Sequence, residues 1–184
     1  MLTFVCGGVR SGKSSWGEKA AEKLRRADGK LIYLATARQS DAEMKNRILL
    51  HQRERQAKCA EWTTIEQSIK LETCADFLRN HDILFLDCLT TWLSNEMFKD
   101  FNQPVQPKDI KRRIIAAVAA LEGACNHVII ISNDLFHEPI PRDKHVYRYI
   151  RVLGELHQYF VHHAKTAVKM EAGRPVVMKG EVLR

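Results

Sequence analysis

A glycine-rich stretch near the N-terminus has the residue types and spacing that bind phosphate. It reads Gly7-Gly8-Val9-Arg10-Ser11-Gly12-Lys13-Ser14 and fits the pattern G-x-x-x-x-G-K-S. An apolar run that predicts a strand precedes it, and a segment that predicts a helix follows, as a phosphate loop requires. Backbone N–H groups and the helix N-terminus would then point at the anion. We expect Lys13 to reach the β- and γ-phosphates of a nucleoside triphosphate and Ser14 to ligate Mg²⁺; the alternative is a chance Gly-Lys-Ser turn.

A carboxylate is expected beside that magnesium ion, at the end of a neighbouring strand. Asp87 ends the apolar run Ile83–Asp87 and is the best candidate for a catalytic, metal-binding acid. The alternative is a strand-end carboxylate that caps the next helix. Asp134, which follows the run Val128–Ser132, is a weaker second candidate.

A histidine between two arginines marks a second group of residues that could do chemistry. Arg47, His51 and Arg55 follow one another at four-residue spacing, which places them on one face of a helix. The flanking positive charges favour the uncharged, nucleophilic ring, and the guanidinium groups could hold a polyphosphate against it. The alternative is a solvated basic stripe. His162-His163 lacks such neighbours, and we interpret that pair as surface.

The elements that must position these side chains alternate between strands and helices. The pattern predicts strands over Leu2–Cys6, Leu31–Ala35, Trp62–Ile65, Ile83–Asp87, Val128–Ser132, Ala167–Met170 and Val176–Met178. It predicts helices over Lys13–Arg26, from Ser40 to about Ala57, and over Ser68–Asn80, Leu89–Phe101, Pro107–Leu121 and Lys144–Lys165, with Gly123 as a stop signal. Such alternation predicts an α/β fold with a mainly parallel sheet, and the last two strands predict a C-terminal antiparallel hairpin.

Length and composition narrow the class of protein. The chain has 184 residues, of which 45% are hydrophobic, so we expect one domain over residues 1–184 and no membrane span. The net charge of +7 comes from scattered basic residues, and we expect no nucleic-acid partner. The five cysteines form no C-x-x-C pair, which is typical of free thiols in a reducing cytoplasm.

Several stretches, in order, resemble the bifunctional adenosylcobinamide kinase/adenosylcobinamide-phosphate guanylyltransferase family. They are Gly7–Ser14; Tyr33-Leu34-Ala35-Thr36; Asp41-Ala42-Glu43-Met44 with Arg47-Ile48, His51 and Arg55; Trp62-Thr63-Thr64-Ile65-Glu66; and Asp87-Cys88-Leu89-Thr90-Thr91-Trp92-Leu93-Ser94-Asn95. The resemblance covers most of the chain and is most specific before residue 96.

This resemblance implies a fold, two activities and a set of site residues. It implies a RecA-like P-loop core, a homotrimer, and a covalently guanylylated histidine, which here is His51. The family phosphorylates adenosylcobinamide and then transfers GMP from GTP onto the phosphate, with ATP and GTP as substrates and Mg²⁺ as cofactor. Thr36, Arg47, Arg55 and Glu66 then join the phosphate loop as nucleotide-binding residues.

The second half of the chain departs from that family. Residues Leu135–Pro141 replace a loop that contains glycines, and Gly154-Glu155-Leu156-His157-Gln158 replaces G-R-x-N-Q. A paralogue that keeps only the kinase activity is therefore an open alternative. Two further alternatives are a P-loop ATPase or GTPase without a corrinoid substrate and, motivated by the net charge of +7, a RecA-type ATPase that binds nucleic acid.

Overall fold

The computed structural model describes residues 1–38, 61–99, 105–137, 139 and 142–181. The helix predicted from Ser40 to about Ala57, with Arg47, His51 and Arg55, lies outside the described residues.

Strands and helices alternate along the described chain as the sequence predicts. The strands are β1 Leu2–Gly7, β2 Leu31–Ala35, β3 Trp62–Glu66, β4 Ile83–Asp87, β5 His127–Asn133, β6 Thr166–Glu171 and β7 Arg174–Lys179. The helices are α1 Lys13–Leu24, α2 Leu89–Met97, α3 Pro107–Ala124 and α4 Lys144–His163, and a 3₁₀ helix spans Leu71–Phe77.

The seven strands of the described residues form one sheet in the order β3-β2-β4-β5-β1-β6-β7. Every pair is parallel except β6 and β7, which form the antiparallel pair at the C-terminus. Strands β2 and β4 are almost continuously apolar, because helices cover both faces of a parallel sheet. The predicted α/β fold, its mainly parallel sheet and its closing hairpin are confirmed.

The two faces of the sheet bury two separate apolar clusters. In β4, Ile83 and Phe85 join the cluster on the α1 side, whereas Leu84 and Leu86 join the larger cluster under α2, α3 and α4. This alternation follows from the two-residue period of a strand. Asp87 continues the row of Ile83 and Phe85, so its side chain belongs to the α1 face.

Local backbone geometry corrects several predicted helix boundaries. The helix predicted over Ser68–Asn80 is only the 3₁₀ helix Leu71–Phe77, because Lys70 has a left-handed backbone with φ 54°. The backbone N–H of Lys70 donates to Glu96 Oε1 at 3.0 Å, which holds that turn in place. Gly123 does not stop α3, which runs through it to Ala124.

Three other helices end earlier than predicted. Helix α1 ends at Leu24 and α4 at His163, because the following residues, Arg25 and Ala164, have extended backbones with ψ 130° and 145°. Helix α2 ends at Met97 rather than Phe101. Among the described residues, no helix combines the length and apolar character needed to cross a bilayer.

One face of α4 belongs to the core. Val152, Leu156 and Phe160 are buried against the sheet, and the half-buried Tyr149 donates its hydroxyl to the backbone oxygen of Thr90 at 3.0 Å. At the end of this helix, His163 is nearly half exposed, and its Nε2 is hydrogen-bonded to Glu122 Oε2 at 2.8 Å. The interpretation of His162-His163 as a surface pair is therefore confirmed.

Candidate functional site

The carboxyl edge of the sheet brings the phosphate loop and the predicted acid together. Ala35 of β2 pairs with Asp87 of β4, and Asp87 pairs with Ile131 of β5. Gly7, where the phosphate loop begins, pairs with Asn133 at the end of β5. Ligands of open parallel sheets bind outside the carboxyl ends of the strands, so this edge is the candidate site.

The backbone of the phosphate loop is left-handed at two residues, Arg10 and Gly12. Gly12 has φ 86° and precedes α1 without any side chain that caps the helix, and Arg10 has φ 60°. The N–H of Ser11 donates to the oxygen of Gly8 at 3.2 Å, which closes the turn. The uncapped N-terminus of α1 therefore faces the loop, where its N–H groups favour an anion.

Gly7 is required by a close approach of two chain segments. A Cβ atom at this position would lie 2.6 Å from Ser11 Oγ and 2.7 Å from the backbone oxygen of Met170 in β6. The second contact is with backbone and cannot be relieved by turning a side chain. The absence of a side chain at Gly7 lets the loop lie against the neighbouring strand.

Lys13 lies under the loop rather than extending into solvent. Its Nζ donates to the oxygen of Gly8 at 3.1 Å, and the residue is only 9% exposed. Burial lowers the pKa of this amine, while the nearby carboxylate of Asp87 opposes the shift. A partly desolvated ammonium group interacts strongly with phosphate because little water screens it.

Asp87 and Ser14 lie side by side as the sequence predicts. The Ser14 hydroxyl donates to Asp87 Oδ2 at 3.3 Å, and the Tyr33 hydroxyl donates to the same oxygen at 2.8 Å. A hydroxyl and a carboxylate are hard oxygen donors, which suits Mg²⁺. Among the described residues, no three His, Cys, Asp or Glu side chains group closely enough to form a metal cage. This donor set fits a magnesium ion that takes its other ligands from substrate phosphates and water.

Thr36 holds the backbone that follows Asp87. It is fully buried, and its hydroxyl accepts the N–H of Cys88 at 2.9 Å and lies 2.9 Å from the oxygen of the same residue. The Asn95 side chain donates to the oxygen of Thr36 at 2.7 Å and to that of Ser68 at 3.1 Å. These bonds within the protein position the turn that presents Asp87.

Among the described residues, the other predicted site residues do not share the contact between Ser14 and Asp87. Glu66 ends β3 and pairs with Ala35, so β2 separates its strand from that of Asp87. Arg10 is exposed at the tip of the phosphate loop. His51, Arg47 and Arg55 are outside the described residues. Asp134, the weaker acid candidate, instead lies 3.1 Å from His137 Nε2 and 3.9 Å from Lys169 Nζ.

Phe136 and His157, two of the residues that depart from the family's pattern, line a different cavity. This cavity of about 730 Å³ lies between α4 and the C-terminal hairpin, and its lining includes Phe136, Gly154 and His157. His157 Nε2 is 2.7 Å from Ser132 Oγ, and burial lowers the pKa of its ring to about 4. Glu155 forms ion pairs with Lys111 at 3.0 Å and Arg151 at 3.3 Å. His157 and Glu155 therefore both have polar partners within the chain.

Tyr33 also belongs to the site, although no motif in the sequence indicates a chemical role for it. It stands in a stretch that resembles the family, but a tyrosine in an apolar run is also typical of a strand core. The informative signal is that residues 31, 33 and 35 of β2 lie on the same face of the sheet as Ile83, Phe85 and Asp87 of β4, with which they pair.

A sequence model of the family described as cobinamide kinase/cobinamide phosphate guanyltransferase matches residues 3–178. The chain belongs to this family. It is 31% identical to the bifunctional adenosylcobalamin biosynthesis protein CobP of Pseudomonas aeruginosa, over the full length of both chains. It is 28% identical to the bifunctional adenosylcobalamin biosynthesis protein CobU of Escherichia coli, with 86% of this chain and 88% of that protein covered. The corresponding protein of Salmonella typhimurium is 27% identical with the same coverage.

Membership of the cobinamide kinase/cobinamide phosphate guanyltransferase family confirms the resemblance found in the sequence. The chain is an enzyme of a family that uses nucleotides, and its place is in cobalamin biosynthesis. The matched residues include both the phosphate loop and the altered segment around His157.

Proposed function

We propose that this enzyme phosphorylates adenosylcobinamide with a nucleoside triphosphate and then transfers GMP from GTP to adenosylcobinamide phosphate. A guanylylated His51 is the intermediate of the second step. The observation that carries the kinase half is the buried Lys13 amine beneath the phosphate loop, with Ser14 and Asp87 adjacent to each other.

The kinase step depends on positioning and on neutralising charge. The loop N–H groups and α1 hold the phosphates, and Lys13 stabilises negative charge on the β- and γ-oxygens as the terminal phosphoryl group leaves. Ser14 and Asp87 would hold the magnesium ion, which supplies further neutralisation of the phosphate charge when bound. The acceptor is the aminopropanol hydroxyl of adenosylcobinamide.

The guanylyl step requires a nucleophile that is also a good leaving group, and imidazole is both. Attack of a His51 ring nitrogen on the α-phosphate of GTP forms a phosphorus–nitrogen bond and breaks the bond to pyrophosphate. The phosphate of adenosylcobinamide phosphate then displaces the imidazole and takes the GMP group. Arg47 and Arg55 would stabilise the negative charge that develops on the phosphate oxygens.

Turnover assays with different acceptors test this function. With adenosylcobinamide present, the triphosphate should be consumed by transfer to this acceptor rather than to water, which yields adenosylcobinamide phosphate. Added GTP should then convert adenosylcobinamide phosphate to the GDP derivative. Water alone and DNA serve as comparisons for a switch ATPase and a nucleic-acid ATPase. Nucleotide turnover that DNA accelerates and adenosylcobinamide leaves unchanged would contradict the proposal.

A kinase-only enzyme is the second candidate function. The altered residues Phe136 and His157 line one cavity, whereas Lys13 lies at the phosphate loop, where its amine donates to the oxygen of Gly8. A change confined to that cavity would leave the chemistry of the γ-phosphate in place. Detection of adenosylcobinamide phosphate as the final product, with GTP present in excess, would favour this candidate.

We also propose a homotrimer, as the family resemblance implies. The row of Val152, Leu156 and Phe160 is buried within one chain, so α4 would contact a partner through its exposed Val146 and Tyr147. Sedimentation at micromolar concentration should give the mass of three chains. A species with the 21.2 kDa mass of one chain would reject the trimer.

A further inference from the structure

The Tyr33 hydroxyl makes a contact with Asp87 that the reaction as derived above does not use. Tyr33 pairs with Phe85 of β4, two residues before Asp87 on the same face. The tyrosine side chain therefore reaches along β4, and its hydroxyl donates to Asp87 Oδ2 at 2.8 Å. This bond is 0.5 Å shorter than the one from Ser14, which is 3.3 Å long.

The ring of Tyr33 is held by its neighbours and has little freedom to turn away. It stacks on Phe85 with the ring centres 5.3 Å apart and meets the edge of Trp62 at 6.3 Å. The residue is 7% exposed. Because the ring is fixed, its hydroxyl can donate a hydrogen bond to an oxygen at only one position.

The two oxygens of the Asp87 carboxylate differ in the hydrogen bonds that they accept. Oδ2 accepts from both Tyr33 and Ser14, while no hydrogen bond reaches Oδ1 from the described part of the chain. Rotation of the carboxylate would break both bonds at once. Hydrogen bonds from outside the ligand set commonly fix the orientation of a carboxylate that serves a metal ion.

We propose that Tyr33 is a positioning residue for Asp87, which it orients toward the magnesium ion that accompanies the nucleotide. The inference rests on the proposed role of Asp87 in the kinase site. Tyr33 acts through Asp87 and touches neither substrate nor metal. It belongs to the α1 face of the sheet, and the altered cavity beside α4 plays no part in it.

The test compares nucleotide affinity with and without magnesium. The dissociation constant of ATP is measured by calorimetry in EDTA and in excess Mg²⁺. The value in EDTA divided by the value in Mg²⁺ gives the ratio by which the metal strengthens binding. In Tyr33→Phe the ring keeps its packing, so affinity in EDTA should be unchanged while the ratio falls roughly tenfold. Damage to the fold would instead weaken binding under both conditions and leave the ratio unaltered.

Tyr149→Phe is the matched control, because it also removes a hydrogen bond made by a half-buried tyrosine hydroxyl. Its ratio should equal that of the wild type. A fall as large as that of Tyr33→Phe would overturn the inference, since the effect would then not depend on contact with Asp87.

Asp87→Asn and the double variant separate this inference from the function on which it rests. Asp87→Asn should lower the ratio at least as much as Tyr33→Phe, and adding Tyr33→Phe to it should lower it no further. A low ratio in Asp87→Asn with a wild-type ratio in Tyr33→Phe rejects the role of Tyr33 alone. A wild-type ratio in Asp87→Asn rejects the metal site itself, and the inference falls with it.

Discussion

Replacing Lys13 with alanine is expected to lower kcat/KM for phosphorylation of adenosylcobinamide by about a hundredfold to a thousandfold. This corresponds to about 3–4 kcal/mol of transition-state stabilisation, the usual effect of removing one well-placed donor from a desolvated site. The amine of Lys13 is 3.1 Å from the oxygen of Gly8 and almost fully buried, so no water replaces it efficiently. The measurement is initial-rate kinetics with purified variants at saturating Mg²⁺.

Lys19→Ala provides the control for this experiment. Lys19 lies on the same helix, α1, but its side chain is exposed. Its removal changes the net charge by the same amount without touching the phosphate loop, so the rate should stay near that of the wild type. A Lys13→Ala enzyme that phosphorylates at the wild-type rate would move the nucleotide site elsewhere.

Replacing His51 with alanine is expected to abolish covalent labelling by GTP and leave phosphorylation of adenosylcobinamide in place. The two steps use different atoms: the γ-phosphate reacts beside Lys13, whereas the α-phosphate would react with the imidazole. Incubation with α-labelled GTP and Mg²⁺, followed by denaturing electrophoresis, measures the label. A phosphoramidate survives alkali and is lost in acid, which distinguishes it from an ester of serine or threonine.

The exposed His145 offers a matched control for His51. His145→Ala should take up label like the wild type, because its ring lies on the surface of α4. If the wild-type protein forms adenosylcobinamide phosphate but never takes up label, the guanylyl half of the proposed function is wrong. Label that persists in His51→Ala would instead place the nucleophile at another residue.

The phosphate loop and most strands could be predicted from sequence because their signals are local. Buried parallel strands such as Leu31–Ala35 and Ile83–Asp87 are continuous apolar runs, and their observed bounds equal the predicted ones. The pattern from Gly7 to Ser14 combines glycines, a lysine and a hydroxyl at fixed spacing, so it also required no knowledge of distant residues. The family was recognisable from the same local stretches.

Helix ends were less predictable because the backbone of single residues decides them. Lys70 has a left-handed conformation that depends on a bond to Glu96 in α2, and composition alone gives no sign of it. Gly123 was expected to stop a helix, yet α3 continues through it to Ala124. A glycine ends a helix by adopting a left-handed backbone, and Gly123 is not among the glycines with positive φ.

The phosphate loop, the strand-end acid and the alternation of strands and helices can all be predicted from the sequence. The order of the strands in the sheet, and therefore which side chains meet, is visible only in the folded chain. Asp87 receives hydrogen bonds from Ser14 and Tyr33, which are 73 and 54 residues away in the chain. Such contacts depend on strand order and register, which arise from the burial of both sheet faces at once and leave no local pattern in the sequence.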